Sequence, residues 1–119
     1  MFPSKSLLDA GIVVAGSSDD PISISNPLFQ MHMAVNRVAQ SGSCIGPSER
    51  ISIMEAVRLF TWNAAYVSFD EDSRGSLEAG KIADLVVLSE PLLDAPVEHI
   101  RDIAVDLTMI NGQILFRRQ

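Results

Sequence analysis

Residues 75–88 read GSLEAGKIADLVVL, and within this stretch the chain changes from helical to strand-forming sequence. Glycines and charged residues dominate its first part, which favours turns, and Asp84–Leu88, which is apolar after its first residue, predicts a strand. Further on, Asn111-Gly112 separates apolar runs at 103–110 and 113–117. Asn-Gly supplies the two positive-φ residues that a type I′ turn needs. We therefore expect three short strands after residue 80, the last two joined as a hairpin.

The sequence before residue 70 predicts mainly helices. We expect helices over residues 4–10, from Asn26-Pro27 to about 39, and from Ser52 to about 66. Asn26 is a good N-cap and proline is tolerated at the first helical position. Ser52 and Glu55 have the spacing of a capping box. In the third helix, the spacing predicts one apolar stripe, formed by Ile53, Val57, Phe60, Ala64 and Val67.

One apolar run in this first half predicts a buried strand. Ile12–Ala15 is unbroken, partly β-branched and bounded by glycines, as in strands covered on both faces of a parallel sheet. Such a strand needs hydrogen-bonding neighbours, and residues 1–60 contain no second candidate. We therefore expect an incomplete βα-repeat fold followed by an incomplete sheet.

Composition excludes several classes of function. The chain has 119 residues, with 15 acidic against 9 basic residues and a net charge of −6, which disfavours binding to nucleic acid. Its apolar runs are shorter than the roughly 18 residues of a membrane span. We see no signal peptide after Met1. The single cysteine, Cys44, permits no internal disulfide and fits a reducing, cytoplasmic location.

Several motifs together resemble the C-terminal portion of the amidohydrolase superfamily. They are SDDP at 18–21 after an apolar run, TWNAA at 61–65, the 75–88 segment and the Asn111-Gly112 hairpin. These relatives are metal-dependent hydrolases with a TIM-like barrel and a small β-sandwich. The chain is most similar to the subgroup typified by N-substituted formamide deformylases (amidohydrolase family 3), whose helix motif Ala-Val-x-Arg matches residues 34–37.

The resemblance implies an α/β fold: a C-terminal fragment of a TIM-like (β/α)₈ barrel, with its last strand and helices, followed by part of a β-sandwich. The barrel end would cover residues 1–69 and the sandwich part residues 70–119. A complete barrel takes about 250 residues, so we expect a fragment. Because unpaired strand edges and apolar faces promote association, we also expect a homo-oligomer with an apolar interface.

Asp19 is the candidate catalytic residue and metal ligand. The family pattern places the functional carboxylate two residues before the proline, which selects Asp19 over Asp20. In relatives, the matching aspartate ligates a divalent metal, which we expect to be zinc, and accepts a proton from the water that the metal activates. Ser-Asp-x-Pro is also ordinary turn chemistry, so Asp19 could simply cap a turn.

Other residues able to carry chemistry have weaker patterns. His32, His99 and Cys44 have no partners nearby in the sequence, so we expect ordinary packing or surface roles for them. The family's other metal ligands, including its His-x-His, have no counterpart in this chain. We therefore expect no metal to bind stably to this chain alone, and no activity from it.

Four further residues receive structural roles. Lys81 and Asp84 would shape turns and make polar contacts between the sandwich and the barrel. Phe60 and Trp62 would pack in the core or between domains. A fifth residue, Arg37, could contact substrate or neighbouring loops as in relatives, although a helix-surface arginine is more often solvated.

The resemblance implies a fragment of a metal-dependent hydrolase acting on carbon–nitrogen bonds of a small amide or formamide. Two alternatives stay open. One is a non-catalytic domain that has kept the signature for folding or association, and the other is a deaminase or cyclic-amide hydrolase on the same scaffold. Substrate choice resides in barrel loops, on which this sequence is silent.

Overall fold

A computed structural model describes residues 2–39 and 41–119. Its α-helices precede its strands along the chain. The α-helices are α1 (Ser4–Asp9), α2 (Pro27–Asn36), α3 (Ile53–Leu59) and α4 (Trp62–Val67), and the strands are β1 (Leu85–Leu88), β2 (Val105–Ile110) and β3 (Gln113–Arg117). Short 3₁₀ turns cover Pro47–Glu49 and Val97–Asp102.

Two helices begin where their capping residues predict. The Asn26 Oδ1 atom accepts a hydrogen bond from the Leu28 N–H at 2.9 Å, with Pro27 at the first helical position. At α3, the Ser52 Oγ atom accepts from the Glu55 N–H, and the Glu55 carboxylate accepts from the Ser52 N–H at 2.7 Å. Both helix starts are therefore specified locally, by side chains that satisfy free backbone N–H groups.

The strands form an antiparallel sheet in the order β1-β2-β3. The predicted hairpin is confirmed, because Asn111 and Gly112 have φ values of 50° and 75° and Ile110 pairs with Gln113. The turn is also tied to β1: the Asp84 Oδ1 atom accepts from the Asn111 N–H at 2.8 Å, and the Ala83 carbonyl from the Gly112 N–H at 3.0 Å. The chain is thus an α/β structure whose described strands are antiparallel.

The core lies between the helices and the 97–103 segment. Buried apolar side chains come from α2, from α3, from Ile51 two positions before α3, and from the 97–103 segment. In that segment Ile100 is fully buried. The cluster comprises Leu28, Met31, Val35, Ile51, Ala56, Leu59, Ile100 and Ile103. The core therefore joins the first part of the chain to a segment inside its strand-rich part.

The predicted strand at Ile12–Ala15 is wrong. Among the described residues, no strand pairs with this segment. Instead, it runs alongside α3 and α4, where Val14 packs against the core. A strand requires a hydrogen-bonded neighbour, and here helix residues take that place.

The single helix predicted over 52–66 is wrong, and its stripe is displaced. The chain breaks between α3 and α4, where Thr61 has φ −126° and ψ −98° and its hydroxyl bonds to the Val57 carbonyl at 2.9 Å. Beyond the break the periodicity shifts: Val67 is exposed, whereas Asn63 and Ala65 are buried. The α2 helix also ends earlier than predicted, at Asn36.

Candidate functional site

The segment that leads to Asp19 is held by two hydrogen bonds from the helical layer. The Gly16 N–H donates to the Leu59 carbonyl at 2.8 Å, at the end of α3. The Asn63 side-chain amide, on the first turn of α4, donates to the Val14 carbonyl at 2.8 Å. The break between α3 and α4 thus places one donor and one acceptor against residues 14–16.

Gly16 is required by close packing. A Cβ atom at this position would lie 2.4 Å from the Cζ atom of the Phe60 ring, far inside van der Waals contact. Phe60, which ends α3, therefore packs directly under the backbone of the segment. A glycine at 16 allows the approach, in the way glycine serves wherever backbone passes close to another group.

Asp19 lies at the exposed end of this segment. Its φ is 56°, a left-handed conformation that aspartate tolerates better than most residues. Its N–H donates to the Ser17 Oγ at 3.2 Å and its carbonyl accepts from the Ile22 N–H at 2.8 Å. Its carboxylate has no hydrogen-bond or ion-pair partner among the described residues. The backbone is thus held in a turn while the carboxylate is left available.

An available carboxylate fits one position in the ligand set of a hydrolytic zinc ion, which uses nitrogen, sulfur or carboxylate donors. Across residues 2–39 and 41–119, no group of three His, Cys, Asp or Glu side chains could hold a metal. Asp20 is exposed beside Asp19. The described residues therefore contain no complete metal site, and a metal at Asp19 would need further ligands from elsewhere.

The histidines and the cysteine lie apart from Asp19 in structural surroundings. His32 is buried on α2, and its Nδ1 atom lies 3.2 Å from the Asn36 amide nitrogen. His99 is exposed on the 97–102 turn. Cys44 is exposed, and its Sγ atom accepts from the Arg50 guanidinium at 3.3 Å. None of the three is brought to the Asp19 segment.

The sequence left two roles open for Arg37, contact with substrate or neighbouring loops and a solvated position on the helix surface. The solvated position is wrong, because Arg37 is buried. It has a left-handed φ of 57° and ends α2. Its guanidinium donates to the carbonyls of Ile45 at 3.2 Å and Phe2 at 2.9 Å. Arg37 therefore ties the loop after α2 to the start of the chain through these two hydrogen bonds.

Lys81 and Asp84 make the kind of turn contacts that their positions predict. The Lys81 ammonium donates to the Glu71 carbonyl at 2.6 Å and to the Ser76 Oγ at 2.7 Å. Asp84 accepts from the Asn111 N–H and lies 3.7 Å from the Arg74 guanidinium. These contacts hold the 70–80 turns and the hairpin in place.

Trp62 differs from its predicted packing role. It is 40% exposed and stacks on Tyr66, with ring centroids 5.2 Å apart. Both side chains lie on the outer side of α4, one turn apart, so the pair forms a surface feature of the described chain.

An open groove of about 570 Å³ lies between the α3–α4 layer and β1. Apolar side chains line most of it, including Phe60, Leu77 and Val86, with Asp84 and Arg74 at its polar end. Asp19 does not line this groove, and Asp84 is already bonded to the hairpin. The groove is therefore a junction between the helices and the sheet, separate from the Asp19 segment.

Comparison with known proteins places the chain in one family. Residues 1–116 match the family described as "Amidohydrolase family", and the chain belongs to that family. It is 36% identical to the N-substituted formamide deformylase of Arthrobacter pascens over 118 residues, which are 99% of this chain and 22% of that protein.

Two further comparisons agree. The imidazolonepropionase of Treponema denticola is 31% identical over 95% of this chain and 25% of its own length. Among solved structures, an amidohydrolase from Thermotoga maritima superposes with a TM-score of 0.68 at 29% identity, over 95% of this chain and 25% of that one. The chain thus spans about a quarter of the length of these relatives.

Sequence reasoning missed the residues that hold the Asp19 segment. Asn63 lies in the 61–65 motif, which predicts no role for it, and Gly16 only bounds the predicted strand. The available signal was Asn63 itself, a polar residue inside an apolar helix. Its partner lies 49 residues earlier in the chain, and no local pattern could have identified it.

Within residues 2–39 and 41–119, no helix is long and apolar enough to cross a bilayer.

Proposed function

We propose that this chain supplies the C-terminal part of a metal-dependent hydrolase that cleaves carbon–nitrogen bonds of a small amide-type substrate, with Asp19 as metal ligand and general base. The single observation that carries the proposal is the Asp19 carboxylate, which is exposed and has no partner among residues 2–39 and 41–119. It lies at the end of a segment that the buried Asn63 amide and the close-packed Gly16 hold in place. Family membership and the named hydrolase relatives support the reaction class.

Each part of the proposal has a chemical basis. A divalent metal, zinc by family resemblance, would lower the pKa of water towards about 7 and so supply a nucleophile at neutral pH. The Asp19 carboxylate could accept the remaining proton and return it to the leaving nitrogen, because its lone pairs are not engaged elsewhere in the described chain. The other ligands would come from outside the residues described here, which agrees with relatives four times as long.

The proposal also specifies which kind of carbon–nitrogen bond is cleaved, that of an open-chain or of a cyclic amide. The relative named N-substituted formamide deformylase favours an open-chain formamide or amide, whereas the relatives named imidazolonepropionase favour a cyclic amide. Identity over nearly the whole chain is higher with the first, at 36% over 99% of this chain against 28–31% over 95–98%. One imidazolonepropionase relative reaches 35%, but over only 74% of the chain, so we favour the open-chain substrate. A panel of N-substituted formamides and cyclic amides, assayed with the whole catalytic protein, separates the two.

The decisive test compares Asp19→Asn with Asp20→Asn in the protein that carries this chain together with its remaining ligands. Asp19→Asn removes the general base and a charged ligand, so we expect kcat/KM to fall by about 10²–10⁴, with lower zinc content by elemental analysis. Asp20→Asn is the matched control, an exposed neighbour of the same type, and should stay within about twofold of the parent.

Two outcomes would contradict the assignment. If both variants keep full activity and zinc content, Asp19 has no role at the metal. If the parent protein itself hydrolyses none of the amides and binds no zinc, the non-catalytic alternative replaces the proposed hydrolase.

We also propose that exposed apolar surface drives self-association of this chain. A folded monomer of 12.9 kDa exposes about 6,300 Å², whereas this chain exposes 7820 Å². Large side chains contribute to the excess, among them Phe69 (92% exposed), Ile22 (81%) and Leu77 (80%). A standard protein interface covers about 800 Å² on each partner, so the excess is large enough for a homo-oligomer.

A further inference from the structure

We propose that Asn63 is a positioning residue for Asp19: its buried side-chain amide, by binding the Val14 carbonyl, sets where the Asp19 carboxylate stands relative to the helical layer. The inference deepens the proposed function and rests on the role given there to Asp19. Asn63 would act on Asp19 indirectly, through its hydrogen bond to the backbone of the segment at Val14.

The hydrogen bond has the features of a specific anchor. Asn63 is 6% exposed and its Nδ2 atom lies 2.8 Å from the Val14 carbonyl oxygen. The distance is optimal for an N–H···O bond, and burial removes water as a competing partner for either group. Loss of the amide would therefore leave the Val14 carbonyl without the donor that now satisfies it.

The segment has few other restraints. Among the described residues no strand pairs with residues 12–16, so the regular ladder that holds most extended segments is absent there. Apart from the turn hydrogen bonds of Asp19 itself with Ser17 and Ile22, the structure shows three polar or close-contact restraints on residues 14–16. They are the Asn63 amide, the Gly16–Leu59 hydrogen bond and the Phe60 ring against Gly16. Each of them originates at the junction of α3 and α4.

The geometry connects this anchor to the carboxylate through a short piece of chain. Asp19 is three positions after Gly16, and three residues span at most about 11 Å when extended. A metal ligand must be held within about 0.5 Å of its working position. A shift of the segment when Asn63 is lost would therefore reach Asp19 directly, because residues 17–19 are too short to absorb it elsewhere.

The competing explanation is that Asn63 contributes only to stability. Asn36 provides the matched control, because its side-chain amide makes the same kind of bond, to the Val97 carbonyl at 2.7 Å and across 61 residues. That bond joins α2 to the 97–102 turn and lies apart from the Asp19 segment. Replacing either asparagine by alanine removes one long-range amide–carbonyl bond, and only one of the two bonds involves the segment of Asp19.

The experiment uses the protein that contains this chain and its complete metal site. Asn63→Ala, Asn36→Ala and Asp19→Asn are each titrated with zinc and, separately, with cobalt, whose visible absorption reports ligand geometry. We expect Asn63→Ala to weaken zinc binding by about 10- to 100-fold, the range for residues that orient metal ligands, and to change the cobalt spectrum. Asn36→Ala should lose stability but keep zinc affinity within about twofold and an unchanged spectrum.

A second variant covers the case in which Asn63→Ala does not fold. Asn63→Asp keeps the shape of the side chain but replaces the donor by an acceptor facing the Val14 carbonyl. Hydrogen–deuterium exchange then reads the segment directly: the Gly16 amide should exchange at least tenfold faster in Asn63→Asp than in the parent, and at the parental rate in Asn36→Ala.

The outcomes separate the two proposals. If Asp19→Asn loses zinc affinity while the Asn63 variants behave like Asn36→Ala in both measurements, the positioning role is wrong and the role of Asp19 stands. If Asp19→Asn binds zinc as the parent does, the proposed function of Asp19 is wrong, and the positioning role falls with it even where exchange at Gly16 accelerates.

Discussion

At the scale of single residues, backbone conformation and close contact decide more than side-chain chemistry. Asp19, Arg37 and Asn111 all have positive φ values, from 50° to 57°, and each stands where the chain reverses or a helix ends. Such conformations are uncommon for residues with a Cβ atom. Asp19 and Asn111 are of types that tolerate the left-handed region, whereas Arg37 is held there by its buried hydrogen bonds.

The hairpin provides the clearest residue-scale prediction. Gly112 has φ 75°, and a Cβ atom at this position would meet nothing within 4 Å. Gly112→Val should therefore destabilise through backbone strain alone, by about 1–3 kcal/mol, because a β-branched residue resists positive φ. Chemical denaturation measures the effect.

Gly112→Asn is the matched control, because asparagine accepts the left-handed region and should cost less than valine. Equal stability of the glycine, asparagine and valine forms would show that residue 112 does not require positive φ in solution.

At the scale of elements, each helix is positioned by a contact outside itself. The α1 helix contacts the 47–49 turn, and α2 packs on the 97–102 turn. The α3 helix packs on α2 and binds Gly16 through Leu59, and α4 binds Val14 through Asn63. The helices are short, with 6 to 10 residues each. Isolated helices of this length are unstable in water, so these tertiary contacts are what keep them formed.

The buried His32 on α2 predicts a pH dependence. Burial lowers its pKa below the ordinary 6.5, and the nearby Arg101 lowers it further, against smaller opposing effects of the Val97 carbonyl, Asp102 and Glu98. The unfolded chain therefore binds a proton at a higher pH than the folded chain does. Stability is complete above about pH 6.5 and declines as the pH falls below it, by at most about 1.4 kcal/mol per pH unit.

Denaturation between pH 7.5 and 5.5 measures this decline, in a range above the ordinary titration of carboxylates. His32→Gln should remove most of the slope, whereas His99→Gln, at an exposed histidine, should leave it unchanged. A slope that persists in His32→Gln would assign the pH dependence to another group.

At the scale of the whole molecule, the sheet is the least covered part. Val86 pairs with Thr108, which pairs with Phe116, so these residues share one sheet face with Ile110. Val86, Ile110 and Phe116 are 55%, 50% and 48% exposed. Contiguous apolar surface of this kind marks an interaction site in most proteins.

We therefore expect this chain, by itself, to sediment as a dimer or larger species over a range of dilutions. Phe116→Lys should shift the distribution towards the monomer, because it places a charge on the exposed sheet face. Ser48→Lys is the control, since it adds the same charge at an exposed polar residue outside the sheet. A monomer at every concentration would contradict both the predicted homo-oligomer and the importance of the uncovered face.

Features with local causes can be predicted from the sequence alone. Capping side chains specify the starts of α2 and α3, and backbone preference specifies the Asn111-Gly112 turn. The strand predicted at 84–88 follows from its apolar run. The family resemblance also rested on contiguous motifs, so it could be recognised without a structure. The prediction that Asp19 is the functional carboxylate also rests on a local pattern, its spacing to Pro21.

How these pieces meet depends on contacts between distant segments. Residues 12–15 have the composition of a strand, but the Val14 carbonyl accepts from Asn63, and the Gly16 N–H just beyond donates to Leu59. The buried Arg37 donates to the carbonyls of Phe2 and Ile45, and the Phe60 ring, just after α3, packs against Gly16. Hydrogen bonding and close packing between distant segments leave no periodic trace in a sequence, and these are the interactions that place Asp19.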